Sequence, residues 1–71
     1  MNRFWAMDGA RLKRIRKERL LTQHELSRMT GVAQDTISQL ETGKREARPL
    51  TIRKLAEALS VEPRELMKGE E

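Results

Sequence analysis

The chain has 71 residues, a formal net charge of +4, one histidine and no cysteine. This length fits a single domain. The lack of cysteine excludes disulfides and thiolate metal sites, and one histidine is too few for a histidine-based zinc site. No apolar run approaches the roughly 18 residues of a membrane span, and the first residues form too short a stretch for a signal peptide. We expect a cytoplasmic protein that uses no cofactor and no metal.

The charge is distributed unevenly along the chain. Residues 9–22 carry +5 and residues 44–54 carry +4, whereas residues 23–43 and residues 61–71 each carry −2. A nonspecific polycation would spread its positive charge evenly. Here a near-neutral segment lies between two basic ones. This pattern suggests a polyanionic partner that is bound by the two basic segments on either side of the near-neutral one.

Helical periodicity dominates the chain and predicts five helices. They cover residues 9–19, 23–30 and 34–42, a segment that starts near Pro49, and a short segment that starts at Pro63. Asp8 has the position of an N-cap for the first helix. At the second helix, Thr22 and Glu25 have the spacing of a capping box, and Gly31 suits a left-handed residue that ends the helix.

Apolar residues at helical spacing define the expected core. Its members are Leu12, Ile15, Leu21, Leu26, Met29, Val32, Ile37, Leu40, Ile52, Leu55, Ala56, Leu59, Val61 and Leu66. Leu20 is expected to add a further core contact at the end of the first helix. The domain boundaries are an N-terminal extension at 1–8, a helical domain at 9–68 and an acidic tail at 69–71. The only aromatic residues, Phe4 and Trp5, are expected either to pack on the bundle, or to pack on a partner chain, or to be dispensable if Met7 is the translation start.

A helix, a short turn with a glycine and a second helix follow one another over residues 22–41, TQHELSRMTGVAQDTISQLE,. This segment resembles the lambda-repressor/Cro-like family of helix-turn-helix regulators, the bacterial Xre-type proteins. The matching residues are Gln23, Leu26, Gly31, Val32, Ile37, Leu40, the run 41–45, Arg48, Pro49, Thr51, Arg53, Lys54, Leu55, Ala56, Ala58 and Leu59. The resemblance implies an all-α, compact five-helix lambda-repressor-like domain with the helix-turn-helix at helices 2 and 3. The chain departs from the family at Ser27, where alanine is usual, and at Ala33, where a capping serine or threonine is common.

The third predicted helix has an inner and an outer face. At about 100° per residue, Ala33 and Leu40 lie within about 60° of Ile37 and form the inner face. The outer side chains are short and polar and suit a groove about 12 Å wide. The predicted base-reading residues are Gln34, Asp35, Ser38, Gln39 and Thr42. Glutamine can bind adenine through paired hydrogen bonds, and Asp35 either accepts from a cytosine amino group or is an acid favoured by the helix dipole.

The resemblance also implies contacts with the DNA backbone. In the family, the residue at the position of Gln23 contacts a phosphate at a helix N-terminus, and the loop after the third helix lies along the phosphates. The predicted phosphate-binding residues are Thr22, Gln23, Thr36, Gly43, Lys44, Arg45 and Arg48, with Arg53 and Lys54 as flanking candidates. The family often has a buried ion pair at the positions of Arg16 and Glu41, and we expect one here because both lie on or near the inner faces of their helices.

These features predict a sequence-specific double-stranded-DNA-binding transcriptional regulator, expected to be a repressor that is bacterial or phage-encoded and associated with the nucleoid. A homodimer would read a near-palindromic operator through half-sites about 34 Å apart, with Val61, Leu66 and Met67 as its interface. The sequence offers no nucleophile–base pair, metal cluster or phosphate loop that would predict an enzyme. The alternative is an antitoxin-type or other protein-interaction module that masks a toxin or regulatory partner, with DNA binding secondary.

Overall fold

A computed structural model describes residues 6–68 of the chain. Over this range the elements are α1 (Gly9–Glu18), α2 (Gln23–Thr30), α3 (Gln34–Glu41), α4 (Pro49–Leu59) and the 3-10 turn η1 (Pro63–Leu66). The predicted all-α class is confirmed, but the prediction of five helices is wrong, because the last element is a single 3-10 turn. Met67 is already extended, with φ −109° and ψ 153°, and this conformation ends η1. No helix within residues 6–68 has the length and apolar character needed to cross a membrane.

The local sequence accounts for the starts of α1 and α2. The Asp8 carboxylate accepts a hydrogen bond from the backbone N of Arg11 at 3.1 Å. At α2, the Thr22 hydroxyl accepts from the backbone N of Glu25 at 3.0 Å, and the Glu25 carboxylate accepts from the backbone N of Thr22 at 2.8 Å. These bonds satisfy N–H groups that a helix start otherwise leaves unpaired, as the capping-box spacing predicts.

The inward faces of the helices and η1 enclose one hydrophobic core. Its fully buried large side chains are Leu12, Leu26, Ile37, Leu40, Leu55, Leu59 and Leu66, and all seven belong to the predicted core. Met7 and Ala47 are buried as well, although helical periodicity could not mark them because they lie outside the helices. Because Leu66 is fully buried within its own chain, its predicted place in a dimer interface is wrong. Val61 and Met67 are half-buried.

Two apolar residues that were expected inside are exposed. Leu20 is 88% exposed and Met29 is 55% exposed. After α1 the chain reverses through Leu20, which has a left-handed φ of +60°, and its neighbour Leu21 packs against the core instead. Met29 lies in the last turn of α2, a helix in which Leu26 is the buried residue. The surface that this short helix buries is therefore narrower than its apolar stripe.

The two ends of the described chain pair with each other. Met7 and Met67 lie opposite each other in an antiparallel bridge. The backbone N of Lys68 donates to the carbonyl of Ala6 at 3.0 Å, and the backbone N of Asp8 donates to the carbonyl at position 66 at 2.8 Å. Residues 6–8 of the expected N-terminal extension are thus joined to the helical domain. Phe4, Trp5 and the tail at 69–71 lie outside the described residues.

Candidate nucleic-acid interface

The turn after α2 determines where α3 begins. Gly31 has φ +78°, a conformation that glycine adopts at little cost, and its N–H donates to the carbonyl of Ser27 at 2.8 Å. The Thr30 hydroxyl donates to the carbonyl of Leu26 at 2.8 Å and accepts from the backbone N of Val32 at 3.1 Å. Sequence reasoning missed Thr30, although a threonine beside a helix-ending glycine is a signal for such local bonds.

The outer face of α3 carries the predicted base-reading residues. Ile37 and Leu40 are buried beneath it. Four of the five predicted residues are exposed, namely Gln34, Asp35, Gln39 and Thr42. The fifth, Ser38, is half-buried. The Thr42 hydroxyl donates to the carbonyl of Ser38 at 3.1 Å. Because its proton is used in this bond, the hydroxyl can act toward a bound group as a hydrogen-bond acceptor. The outer face is thus a strip of polar side chains without bulky apolar groups.

No side chain caps the start of α3. Ala33 occupies the N-cap position and makes no side-chain hydrogen bond. Asp35 is the acidic residue of the first turn, where a carboxylate interacts favourably with the helix dipole. Because Asp35 is also exposed, its position suits both the dipole role and the base-reading role.

The other end of α3 is anchored by a buried ion pair. Arg16 Nε donates to Glu41 Oε2 at 2.6 Å, and Arg16 Nη2 donates to Glu41 Oε1 at 3.1 Å. Arg16 Nη1 also donates to the carbonyl of Leu21 at 2.7 Å. Gln23 Nε2 donates to Glu41 Oε1 at 3.0 Å, so one of its two amide protons is used inside the protein. The Glu41 carboxylate thereby connects α1, α2 and α3.

The start of α1 packs directly on the end of α3. Gly9 is buried, and a Cβ at this position would lie 2.8 Å from the carbonyl oxygen of Glu41 and closer still to that of Leu40. Glycine is needed here because there is no room for a side chain. The sequence carries no signal for this contact, since it depends on how two distant helices meet.

A basic cleft, defined by Arg45, Arg48 and Lys54, lies beside α3. The concavity has a volume of about 320 Å³ and is also lined by the hydroxyl-bearing residues Thr36 and Thr51 and by one acidic residue, Glu46, so its cations outnumber its acids by three to one. Arg45 Nη1 donates to Thr36 Oγ1 at 3.4 Å, which holds the guanidinium at the edge of α3. Thr51 was named among the residues that match the family but was not predicted as a site residue.

The remaining candidates for phosphate binding do not line the basic cleft. Thr22 and Lys44 are exposed, and Gly43 follows α3 with φ +79°. The two flanking candidates are separated by the fold, because Lys54 lines the cleft whereas Arg53 lines an apolar groove elsewhere on α4.

Comparison with known families fits this geometry. Residues 12–66 match the model of the helix-turn-helix family HTH_3. The chain belongs to this helix-turn-helix family. The matched residues run from the first half of α1 to the last residue of η1, so the whole helical core lies within the family's limits.

Several relatives of this helix-turn-helix chain have informative names. It is 46% identical over 54 residues to the HTH-type transcriptional repressor RghR of Bacillus subtilis, which is 75% of this chain and 40% of that protein. The chain therefore spans about two fifths of the length of RghR. It resembles the structure of the restriction-modification controller protein C.AhdI from Aeromonas hydrophila, with a TM-score of 0.79, 38% identity and coverage of 82% of this chain and 88% of that chain. It also resembles the P22 c2 repressor in complex with a synthetic operator, with a TM-score of 0.82, 33% identity and coverage of 90% and 97%.

Proposed function

We propose that the chain is a sequence-specific, double-stranded-DNA-binding transcriptional regulator that inserts α3 into the major groove. The observation that carries this proposal is the polar outer face of α3 beside the basic cleft. A major groove about 12 Å wide admits a helix, and the phosphates along its edges attract cationic side chains. The names of RghR and of the operator-bound P22 c2 repressor support the proposal and favour repression.

Base reading is assigned to the outer face of α3. The side-chain amides of Gln34 and Gln39 can donate and accept at once, which matches the N6 and N7 edge of adenine. The hydroxyls of Ser38 and Thr42 suit either kind of base pair. Asp35 would accept from a cytosine amino group and would disfavour bases that present only acceptors.

Phosphate binding is assigned to groups that flank α3. The proposed residues are Thr22, Gln23, Thr36, Gly43, Lys44, Arg45 and Arg48, together with Lys54. The backbone N–H groups at the start of α2 form a favourable anion site, and Gln23 keeps one amide proton for an external acceptor. The cationic side chains of the basic cleft would then hold the DNA backbone from beside the groove.

We also propose a homodimer that reads two half-sites of a near-palindromic operator about 34 Å apart. Val61 and Met67 pack against the edge of the core but remain partly exposed, so they retain surface for a second copy. A domain of roughly 70 residues has a thin core and gains stability from such an association.

Selection of binding sites from random DNA, combined with a salt titration, tests both proposals. We expect one enriched near-palindrome, a preference of at least about a thousandfold over random DNA, and an affinity that falls steeply with salt concentration. Uniform weak binding to all sequences would contradict the regulator. Enrichment of a single half-site would contradict the dimer.

Three variants and a control sort the contacts in the same assay. Gln34→Ala should relax the preference at one base position at a cost of about 1–3 kcal/mol, whereas Lys44→Ala should weaken all sequences alike and lower the salt slope by about 1. Asp35→Ala relaxes one base position if Asp35 reads a base, and lowers only thermal stability if it serves the dipole. Lys13→Ala, an exposed lysine of α1, is the matched control and should change neither profile nor slope.

A further inference from the structure

Two concavities on one side of α4 join into a single surface, here called the α4 face. The first, the α4–η1 groove, has a volume of about 310 Å³ and is lined by Pro49, Ile52, Arg53, Pro63 and Met67. The second is lined by Arg53, Ala56, Glu57, Val61, Glu62 and Pro63. Arg53 and Pro63 belong to both linings, so they form a ridge between the two concavities. Lys54, which lines the basic cleft, does not belong to the α4 face.

The α4 face carries charges of both signs that are not paired within the described chain. Arg53 and Glu57 are exposed, and neither takes part in an ion pair among residues 6–68. They are four residues apart in α4, so they lie on the same side of the helix, one turn from each other. Between them the floor of the surface is formed by the buried side chains of Ile52 and Ala56. A face that presents a cation and an anion one turn apart is complementary to a copy of itself turned by 180°.

We propose that the α4 face is the dimer interface and that Arg53 of each copy binds Glu57 of the other. This assignment rests on the homodimer of the proposed function and names its contacts. In a two-fold dimer the same patch serves both copies, so each contact between two different residues occurs twice. Antiparallel packing of the two α4 helices, with the two-fold axis between Arg53 and Glu57, gives this pairing. The ridge of one copy then enters the second concavity of the other, and Val61 of each copy approaches the α4–η1 groove of the other.

A second copy satisfies the whole α4 face, which other occupants do not. A small apolar ligand would fill the α4–η1 groove and leave the charges of Arg53 and Glu57 unpaired. An apolar floor with a charged rim is also the usual anatomy of a protein–protein interface. Because Lys54 and the basic cleft are separate from the α4 face, both copies keep their proposed DNA-binding surfaces free.

Charge reversal followed by mixing tests the interface. Sedimentation of the intact chain, alone or on its selected operator, should show two copies. Arg53→Glu and Glu57→Arg each place like charges opposite each other twice, so each variant alone should dimerise at least about tenfold more weakly. An equimolar mixture of the two variants restores opposite charges at both contacts and should give a heterodimer about as stable as the unsubstituted dimer. Lys13→Glu, at an exposed lysine of α1, is the matched control and should leave dimerisation unchanged.

The possible outcomes separate this assignment from the homodimer itself. If the chain dimerises but the variants dimerise equally well, or do not associate on mixing, the α4 face is not the interface and the homodimer stands. If the chain sediments as a monomer at all concentrations and binds its operator as one copy, both proposals are overturned.

A second measurement depends on no variant. In a mixture of isotope-labelled and unlabelled chains, filtered nuclear Overhauser spectra should join the Val61 methyl groups of one copy to Met67 of the other. The absence of these contacts in a dimer would overturn the assignment. Circular dichroism checks that the charge-reversal variants are folded, which we expect because both positions are exposed.

Discussion

Helices α2 and α3 each have eight residues and share one turn, yet they are held in place differently. At α2, local bonds satisfy both ends, because Thr22 and Glu25 form a capping box and Gly31 ends the helix in a left-handed conformation. At α3, the first residues have no side-chain cap. Its end also has a left-handed glycine, Gly43, and a local bond from the backbone N of Lys44 to the carbonyl of Gln39, but Glu41 is in addition bonded to α1 and α2. The comparison teaches that the helix proposed to read DNA depends on the rest of the fold for its position.

Removing the ion pair at the end of α3 should have the largest effect on stability. Arg16→Ala leaves the buried Glu41 carboxylate without its cation, and loss of one partner of a buried pair typically costs about 3–5 kcal/mol. Denaturant unfolding measures this change. The control is Arg14→Ala, whose exposed pair with Glu18 is 4.0 Å long and is expected to contribute at most about 0.5 kcal/mol. Similar losses in the two variants would show that α3 is not anchored at Glu41.

Crowding the contact between α1 and α3 should have the next largest effect. Gly9→Ala places a methyl group against the carbonyl oxygens of Leu40 and Glu41, and such overpacking typically costs about 1–3 kcal/mol. Elsewhere in a helix the same change stabilises a protein by roughly 0.5–1 kcal/mol. The sign of the change in unfolding free energy therefore shows whether the two helices are in close contact. A rise in melting temperature for Gly9→Ala would mean that the two helices do not meet as closely as described.

Adding a cap at the start of α3 should have the smallest effect, with the opposite sign. Ala33→Ser supplies the missing acceptor and should stabilise the protein by about 1 kcal/mol. Thermal unfolding measures the gain, and Thr22→Ser, at a start that is already capped, is the control with almost no expected change. No gain from Ala33→Ser would show that the start of α3 needs no local support, which would weaken the contrast with α2.

Features set by near neighbours in the sequence were predictable. The capping box at Thr22 and the left-handed Gly31 follow from residue types within one helical turn. Leu20 was misplaced because two adjacent leucines follow α1, and the left-handed backbone at Leu20 decides which of them turns inward. The 3-10 turn η1 was predicted as a helix because nothing in the sequence indicates where it ends. It ends where Met67 pairs with Met7, and this contact joins distant parts of the chain.

For the candidate site, too, the sequence predicted the features that depend on near neighbours and missed those that depend on tertiary packing. Helical periodicity placed Asp35 and Gln39 on the outer face of α3, and Gln34 was expected at the start of the helix. All three are exposed in the structure. Helical periodicity could not choose between Arg53 and Lys54, because both lie outside the apolar stripe of α4. The docking of α4 against its neighbours puts one in the basic cleft and the other at the α4–η1 groove. That choice depends on tertiary packing, which a periodic pattern does not contain.

The anchoring of α3 at its far end bears on how proteins of this kind can diverge. The bonds that fix the helix are made by Glu41, whereas Gln34, Asp35 and Gln39 are exposed at the proposed reading surface. Exchange of these three side chains would alter the DNA sequence that is read and would leave the anchor intact. Duplicated copies of such a gene could therefore acquire separate operators by a few surface substitutions, while one inherited core continues to satisfy the requirements of folding.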